Sequence, residues 1–293
     1  MGGNTSHTIV NPQNGNLAFR VFSFDGNSHF NHIQRLSYYS VILILKGAGQ
    51  LKADFSEWGF TDGSLMFFAP YQPFMINETE AINGFVINFH ADFFCIHKHQ
   101  KEVACNGVLF NNIYEPPFLS VNDDSIPAFL NLINQMKTET QNPALAQYEI
   151  LISYLKIFLI NASRLKLNDM PEAALTAIDA KEPFILQGLK KAIEDNYSTT
   201  HAPADYAGML NISPKALARI TKTHFNKTLT NLISERIIIE AKRELYLTNK
   251  PIKAIAYELG FDDEYYFSRF FKKNADISPQ LYRDTVGFAR VSA

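Results

Sequence analysis

The chain has 293 residues, of which 46% are hydrophobic and 19% are charged, and its formal net charge is −2. This length exceeds what one hydrophobic core usually fills, so we expect two domains. The composition is typical of a soluble globular protein and excludes a disordered chain. The longest apolar stretch, residues 150–162, is too short to span a bilayer, and the polar residues 1–15 do not resemble a signal peptide. We therefore expect no membrane association.

The two cysteines, Cys95 and Cys105, belong to no repeated cysteine motif. This excludes a cysteine metal knuckle and a disulfide framework, and it fits the reducing cytoplasm. We expect no metal and no cofactor.

Charge is distributed unevenly along the chain. From Phe184 onward, 16 basic residues stand against 12 acidic ones, a balance of +4, which leaves −6 for residues 1–183. A basic end on an acidic body suggests a polyanionic partner for that end. Two ordinary domains that differ by chance are the alternative.

Residues 1–125 have the pattern of a β domain. Short segments rich in β-branched and aromatic residues are separated by Gly, Asn, Asp and Pro, as in a small barrel or sandwich. The predicted strands are Leu17–Phe24, Tyr38–Lys46, Gln50–Phe55, Ser64–Ala69 and Gly84–Phe89.

Residues 126–165 change to helical periodicity, with apolar residues at three- and four-residue steps. The apolar stripe of the second predicted helix, residues 144–165, fits two interpretations: homodimerisation or packing against its own barrel. The polar residues 166–183 are the predicted interdomain linker, and residues 184–293 form the last predicted domain.

The last third of the chain contains an internal repeat. Residues 204–222 and 252–273 each begin with a short predicted helix centred on an alanine, Ala207 or Ala256. Each then continues through a turn into a second helix. Because a small residue in the first helix lets the second pack close across it, the repeat predicts two helix-turn-helix units.

The residues at the turns fit this prediction. Asn211 and Gly260 can adopt the left-handed conformation that ends a helix. Ser213 is the predicted N-cap of the next helix in the first unit, and Asp262 or Asp263 is that of the second. The second helix of each unit would then present a polar face to the major groove, where arginine can donate two hydrogen bonds to guanine.

Apolar residues at helical spacing predict a connecting helix over residues 229–247. A helix of about 18 residues is roughly 27 Å long. Such a helix can hold the DNA-contacting helices of the two units about one turn of DNA apart, ~34 Å.

The second unit lies within a longer pattern that ends near Thr285. Its residues are Ile255-Ala256, Gly260-Phe261, Asp263, Tyr266–Arg269, Phe271–Lys273, Ser278-Pro279 and Tyr282-Arg283. With this pattern, residues 184–285 resemble the AraC/XylS family of bacterial transcription regulators. The N-terminal domain resembles the family's cupin-like sensor barrel through Gly47, Gly63, Pro70 and the segment Phe85–Phe89.

The resemblance implies an α+β fold. An N-terminal cupin-like β-barrel with a helical extension would precede an all-α domain of seven helices, whose two helix-turn-helix units enter successive major grooves. By position, the base-facing residues would be Lys215, Ala218 and Arg219 in the first unit and Glu264, Tyr265, Ser268 and Arg269 in the second. Lys272, Lys273 and Arg283 would contact phosphates or be merely solvated charges.

The chain departs from the family pattern at five positions, four of them in or beside the first unit, so the first unit is expected to read fewer base edges, mainly through Lys215 and Arg219. Asn and Asp replace turn glycines, Thr replaces a usual Phe, and Ala replaces both a usual Ser cap and a longer polar side chain. The departures are Asn226, Asp276, Thr221, Ala202 and Ala218.

In the N-terminal domain, aromatic side chains can line a ligand cavity or pack in the core. The candidate ligand-binding residues are Tyr38, Tyr39, Phe68, Phe85 and His90. Clustered histidines also suggest metal, but the His-x-His and Glu spacing of a metal-binding cupin is missing, so ordinary polar histidines are favoured. The histidines concerned are His29, His32, His90, His97 and His99.

The sequence therefore predicts a DNA-binding transcriptional regulator, more an activator than a repressor, controlled by a small molecule bound in the barrel. The expected partners are double-stranded DNA, an effector, RNA polymerase and a second copy of the chain, in the bacterial cytoplasm at the nucleoid. We expect no enzymatic activity. A metal-dependent cupin-type enzyme and a ligand-free regulator whose barrel binds only proteins are the alternatives.

Overall fold

A computed structural model describes residues 7–11, 15–26, 28–99, 107–142, 144–168 and 181–286. The chain divides into two compact units. The sheet unit comprises residues 1–112 and 116–169, and the helical unit comprises residues 113–115 and 170–293. The predicted α+β fold class is confirmed.

The sheet unit contains two antiparallel sheets. The larger has the strand order β1-β2-β8-β3-β6-β9, and the smaller has the order β5-β4-β7. The strands are β1 His7–Val10, β2 Leu17–Asp25, β3 Tyr39–Lys46, β4 Gly49–Ala53, β5 Ser56–Phe60, β6 Ser64–Phe68, β7 Phe74–Glu78, β8 Asn83–Phe89 and β9 Phe118–Ser120. All five predicted strands are present within a residue or two of their predicted bounds.

The core between the two sheets follows from the period-two alternation of the strands. Inward side chains of the larger sheet meet those of the smaller one in a single buried cluster. Its members include Phe22, Phe24, Ile42, Ile44, Leu51, Met66, Phe68, Phe74, Ile76 and Val86. Large side chains fill this interior, since Phe68 and Phe74 stack with their ring centroids 3.8 Å apart.

Two helices cover the outer face of the larger sheet. They are α1, Ile126–Gln141, which packs against β1 and β2, and α2, Gln147–Asn168, which packs against α1. The rings of Phe129 and Phe158 join the two helices at 4.8 Å. The apolar stripe of α2 is fully buried in its own unit at Leu151, Leu155, Phe158, Leu159 and Ala162. That stripe therefore packs against its own domain, which is the second of the two interpretations.

The helical unit contains seven helices within the described residues 181–286. They are α3 Lys181–Asn196, α4 Pro203–Met209, α5 Pro214–Phe225, α6 Leu229–Leu247, α7 Ile252–Glu258, α8 Glu264–Ala275 and α9 Pro279–Val286. The connecting helix α6 has the predicted bounds and contacts α3, α5, α7, α8 and α9. Its Leu232, Ala241 and Leu245 have no exposed surface, so α6 is the core of this unit.

The predicted linker, residues 166–183, lies largely outside the described residues, and its bounds stay a prediction. None of the described helices combines the length and apolar character needed to cross a membrane.

Candidate nucleic-acid interface

In the first helix-turn-helix unit, α4 and α5 are joined by a tight turn. Asn211 is left-handed at φ 53°, as its place after α4 predicts. The Ser213 side chain accepts a hydrogen bond from the Ala216 backbone N–H at 3.2 Å, and Pro214 is the first helical residue. The predicted N-cap is confirmed, so the start of α5 is fixed locally.

In the second unit, the turn between α7 and α8 contains Gly260 at φ 78°. A Cβ atom there would overlap the Ser198 carbonyl oxygen, so glycine is required by space as well as by conformation. Asp263, rather than Asp262, caps α8, because its carboxylate accepts from the backbone N–H groups of Tyr265 and Tyr266 at 3.1 and 2.9 Å.

The two departures at the later turns keep the backbone geometry of glycine. Asn226 after α5 and Asp276 after α8 both adopt left-handed φ values, 52° and 61°. Asn and Asp tolerate this conformation better than other side chains do. Thr221 is fully buried, and its hydroxyl donates to the Ala218 carbonyl at 3.0 Å. These substitutions therefore preserve the path of the chain.

The small residues pack as expected, since Ala207 and Ala256 are buried in the first helices. Leu217 and Phe267 are buried in the second helices, which leaves the opposite sides of α5 and α8 exposed. We call α5 and α8 the recognition helices.

The predicted base-facing residues lie on these exposed sides. Lys215, Ala218 and Arg219 are exposed on α5. On α8, Tyr265 is 76% exposed. Arg269, Lys272 and Lys273 are also exposed there, whereas Glu264 and Ser268 are half-buried. Each helix thus brings its predicted residues to one solvent-facing surface.

The basic side chains of the helical unit fall into two groups, those that contact other protein groups and those that do not. Nine of them contact carboxylates, aromatic rings or backbone carbonyls: Lys190, Lys222, Lys227, Arg236, Lys242, Arg243, Lys250, Lys253 and Arg283. Among the described residues 184–286, six cations have no hydrogen bond, ion pair or ring contact. They are Lys191 on α3, Lys215 and Arg219 on α5, and Arg269, Lys272 and Lys273 on α8. Unpaired positive charge is therefore concentrated on the recognition helices.

Arg283 differs from the other predicted contact residues. Its guanidinium donates to the carbonyls of Leu245 and Lys250 at 3.2 and 2.8 Å, and the residue is half-buried. Arg283 thus ties α9 to the end of α6. A phosphate contact by Arg283 stays a prediction, and this structural role is one that the sequence did not indicate.

The strand register divides the candidate ligand-binding residues. Phe68 lies in the filled interior, whereas Tyr39 and Phe85 lie on the outer face, where Lys137 of α1 is 5.2 Å from the Phe85 ring. Tyr39 and Phe85 therefore do not line the interior, because odd-numbered residues of β3 and β8 point to the helices. His90 is buried after β8, and its Nδ1 accepts from the Asp92 backbone N–H at 3.3 Å.

Three polar residues of the interior face, Arg20, Ser40 and Asn88, are not among the candidates predicted from the sequence. A polar residue at an inward position of an otherwise apolar strand, such as Arg20 in Leu17–Phe24, is the signal that could have indicated them. Among the described residues, no group of three His, Cys, Asp or Glu side chains is placed to hold a metal ion.

Comparison with known proteins finds relatives of the helical unit. The family described as "Helix-turn-helix domain" matches residues 206–285. The raffinose operon transcriptional regulatory protein RafR of Pediococcus pentosaceus is 33% identical over 95 residues, 32% of this chain and 34% of RafR. The arabinose operon regulatory protein of Salmonella typhimurium is 32% identical over 92 residues, 31% of this chain and 33% of that protein.

A longer match joins this chain to the HTH-type transcriptional activator RhaS of an Enterobacter species. The two are 26% identical over 171 residues, 57% of this chain and 58% of RhaS. The chain thus spans between a third and three fifths of the length of these relatives, all of which are transcriptional regulators and not enzymes. Through residues 206–285, the chain is similar to transcriptional regulators of the AraC/XylS family.

Proposed function

We propose that this chain is a sequence-specific transcriptional regulator that inserts α5 and α8 into successive major grooves of double-stranded DNA. The observation that carries the proposal is the concentration of unpaired cations on these two helices. Cations without protein partners are available to release counterions from DNA phosphates, which supplies most of the affinity for DNA.

The spacing of the two recognition helices supports binding to one face of a duplex. Helix α6 has 19 residues and joins the two helix-turn-helix units, where it contacts α5, α7 and α8. At about 1.5 Å per residue it is roughly 28 Å long. Successive major grooves on one face of DNA are about 34 Å apart, so a rigid α6 suits the separation.

The chemistry of the exposed side chains assigns their roles. On α8, Arg269 can donate two hydrogen bonds to guanine, and Glu264 can accept one from cytosine. Tyr265 and Ser268 would contact neighbouring base edges. On α5, Lys215 and Arg219 would read fewer positions, and Ala218 offers only a methyl group. Lys272 and Lys273, near the carboxyl end of α8, would contact phosphates.

The test is selection of genomic DNA fragments with the full-length protein, followed by titration of the selected site. Arg269→Ala should weaken binding to that site by about 1–3 kcal/mol and relax the preference at one base pair. Lys191→Ala is the matched control, because it removes one unpaired cation that lies on neither recognition helix. That control should keep the sequence preference of the parent.

Two results would contradict the proposal. One is a parent protein that binds no genomic fragment better than scrambled duplex at moderate salt. The other is an Arg269→Ala protein whose selected sequences match those of the parent, which would remove Arg269 from base recognition.

We further propose that the sheet unit binds a small-molecule effector and that the regulator acts on RNA polymerase as an activator. The regulators of raffinose and arabinose operons among the relatives, and the activator RhaS, support these finer assignments. A reporter gene fused to the selected site, assayed with and without the protein, shows whether the protein raises or lowers transcription. Lower expression with the protein would overturn the activator assignment.

Homodimerisation needs a surface other than the buried stripe of α2. The exposed side of the same helix carries Ile157 and Leu167, each 46% exposed, with Ile150 and Tyr154 half-buried beside them. We propose this side as the contact with a second copy. Sedimentation at micromolar concentration should show a dimer for the parent and a monomer for Ile157→Lys. Asn131→Lys, on an exposed position of α1, should stay dimeric. A parent that sediments as a monomer contradicts the assignment.

A further inference from the structure

The loop between α3 and α4, residues 197–202, lies against the turn of the second helix-turn-helix unit. The carbonyl oxygen of Ser198 is so close to Gly260 that a Cβ atom on that glycine would overlap it. The imidazole of His201 reaches the same turn, because its Nε2 is 2.9 Å from the carbonyl oxygen of Leu259. A loop that precedes the first unit in the chain therefore contacts the turn of the second one.

The hydrogen bond between His201 and Leu259 has one possible direction. A carbonyl oxygen only accepts, so Nε2 of His201 carries the hydrogen and donates it. Leu259 is the C-cap residue of α7, and the last carbonyl groups of a helix have no partner within the helix. The imidazole thus supplies a donor that the helix itself lacks, and it fixes the point at which the chain leaves α7.

The ring of Phe261 carries this contact to the recognition helix α8. Phe261 is 4% exposed, and its ring centroid lies 4.9 Å from that of the His201 imidazole. It also contacts the rings of Tyr266, Phe267 and Phe270 on α8, at centroid distances of 5.9, 5.2 and 5.1 Å. A shift of the turn would therefore disturb the packing of three side chains of α8.

The same loop is attached to the first unit. The hydroxyl of Tyr206, a fully buried residue of α4, donates to the Thr200 carbonyl at 2.8 Å. Burial raises the pKa of Tyr206 to about 12, so the hydroxyl keeps its hydrogen at physiological pH. Helix α3 reaches the turn of the first unit as well, since a Cβ atom on Gly188 would be 3.1 Å from Cδ2 of Leu210. We call α3 and residues 197–202 the brace.

The brace is also attached to α6, the helix that joins the two units. The guanidinium of Arg236 on α6 lies 3.9 Å from the centroid of the Tyr197 ring, a cation–π contact. Its Nε donates to Oε2 of Glu194 on α3 at 2.7 Å. The two units are therefore connected twice, once through α6 and once through the brace, and the two connections contact each other.

We propose that the brace holds α5 and α8 at a fixed separation and that His201 is a positioning residue for DNA recognition. A second connection restrains bending and twisting about α6. Neighbouring base pairs of DNA are about 3.4 Å apart and rotated by roughly 35°, so a fixed separation makes binding sensitive to the number of base pairs between the two contacted segments. This assignment rests on the proposed insertion of both helices into one duplex and adds the residue that sets their spacing.

The experiment measures the affinity of the full-length protein for the selected DNA site and for two altered sites. One base pair is inserted or deleted between the two segments that footprinting assigns to α5 and α8. The parent should bind the altered sites at least about tenfold more weakly, because contacts to at least one base pair are lost. The ratio of the affinities is the readout, since a merely destabilised protein would bind all three sites more weakly by one common factor.

Two variants separate the donor of His201 from its ring. His201→Phe keeps a ring against Phe261 and removes the donor. It should reduce the discrimination between the selected and altered sites by about threefold to tenfold, the range for one lost hydrogen bond. His201→Gln should restore most of the discrimination, because the glutamine NH₂ group can donate to the same carbonyl. An equal loss in both variants would overturn the role of the hydrogen bond.

Two further variants test the attachment to the first unit and the specificity of the effect. Tyr206→Phe removes the hydroxyl that holds Thr200 and should change the discrimination in the same direction as His201→Phe. It remains informative should His201→Phe fail to fold. His32→Phe is the matched control, because it makes the same substitution at an exposed histidine of the sheet unit. That control should discriminate between the sites like the parent.

Hydrogen exchange of the free protein tests the brace without DNA. Backbone amide groups of residues 260–267 should exchange at least about threefold faster in His201→Phe than in the parent, because the turn opens more often when one of its hydrogen bonds is lost. The amide groups of α5 should exchange at the parent's rate. Unchanged exchange of residues 260–267 would overturn the proposal.

Equal discrimination in the parent and in His201→Phe would also overturn it, as would a parent that binds the selected and altered sites equally well. A parent that selects no DNA sequence refutes the proposed function, and hydrogen exchange then decides the role of the brace by itself. A parent that selects a site but is unaffected by His201→Phe refutes the brace and leaves DNA recognition standing.

Discussion

Arg283 and Lys272 show how two basic residues of one family pattern can have different roles. Arg283 donates hydrogen bonds to the carbonyls of Leu245 and Lys250, whereas Lys272 is exposed and has no partner among the described residues. The difference is one of surroundings, since both residues are cations near the carboxyl end of their helices.

Replacing Arg283 by Met should therefore lower stability and leave the electrostatics of DNA binding nearly unchanged. Removing hydrogen bonds from a charged donor to carbonyl groups costs about 1–3 kcal/mol. Urea unfolding measures the first effect, and the dependence of DNA affinity on salt concentration measures the second. A shallower salt dependence without loss of stability would assign Arg283 to phosphate instead.

Lys272→Met is the converse experiment. We expect stability to change by less than about 0.5 kcal/mol, as for most surface substitutions. The slope of log affinity against log salt should become shallower by about 0.9, the value for one lost phosphate contact on duplex DNA. An unchanged slope would make Lys272 a solvated charge.

At the scale of the element, each helix-turn-helix unit depends on the close approach of two helices. Ala256 of α7 has no exposed surface, and α7 packs against α8. Ala256→Val should destabilise the protein by about 1–3 kcal/mol, because extra methyl groups in a filled core force neighbouring atoms apart. Urea unfolding measures the change, with Ala254→Val, on a half-buried position of the same helix, as control. Equal effects of both substitutions would mean that helix propensity alone is responsible.

Helix α6 also carries an ion network whose stability depends on pH. Glu240 accepts hydrogen bonds from Arg243 and Arg236, at 2.8 and 3.1 Å. Burial alone would raise the pKa of Glu240, but the hydrogen bonds and charges of these arginines outweigh it, and the pKa falls below its ordinary value of 4.5. A lowered pKa in the folded state means that the network stabilises the protein above pH 4.5.

This contribution should disappear as the pH falls from 4.5 through the lowered pKa of Glu240. Urea unfolding as a function of pH should show a smaller loss of stability in Glu240→Gln than in the parent over that window. Asp262→Asn, which removes an exposed carboxylate before α8, should keep the parent's profile. If Glu240→Gln lost stability with falling pH as steeply as the parent, the network would be excluded as the source of the acid sensitivity.

At the scale of the whole molecule, two units with separate cores should unfold separately. Trp58 is the single tryptophan of the chain and lies on β5, so its fluorescence reports on the sheet unit. Helical circular dichroism reports mainly on the helical unit. The two urea transitions should not coincide, and the selected DNA site should shift the helical one alone. Coincident transitions with and without DNA would show that the units unfold as one.

The sequence predicted much of the helical unit because its signals are local. The N-cap at Ser213, the left-handed turns at Asn211 and Gly260 and the helix over residues 229–247 each follow from a few consecutive residues. The signals that predict the strands of the sheet unit are equally local. The face of the sheet that each side chain occupies is not set by such local signals.

Local patterns by themselves determined that this protein has an N-terminal β domain and two helix-turn-helix units, since backbone conformation and amphipathic period depend on near neighbours in the chain. Only the tertiary structure decided that Tyr39 and Phe85 lie under helices, that Arg20, Asn88 and Ser40 share one row, and that Arg283 is committed to α6. These facts depend on which distant strands and helices meet. A one-residue change in register would have moved every side chain of a strand to the opposite face.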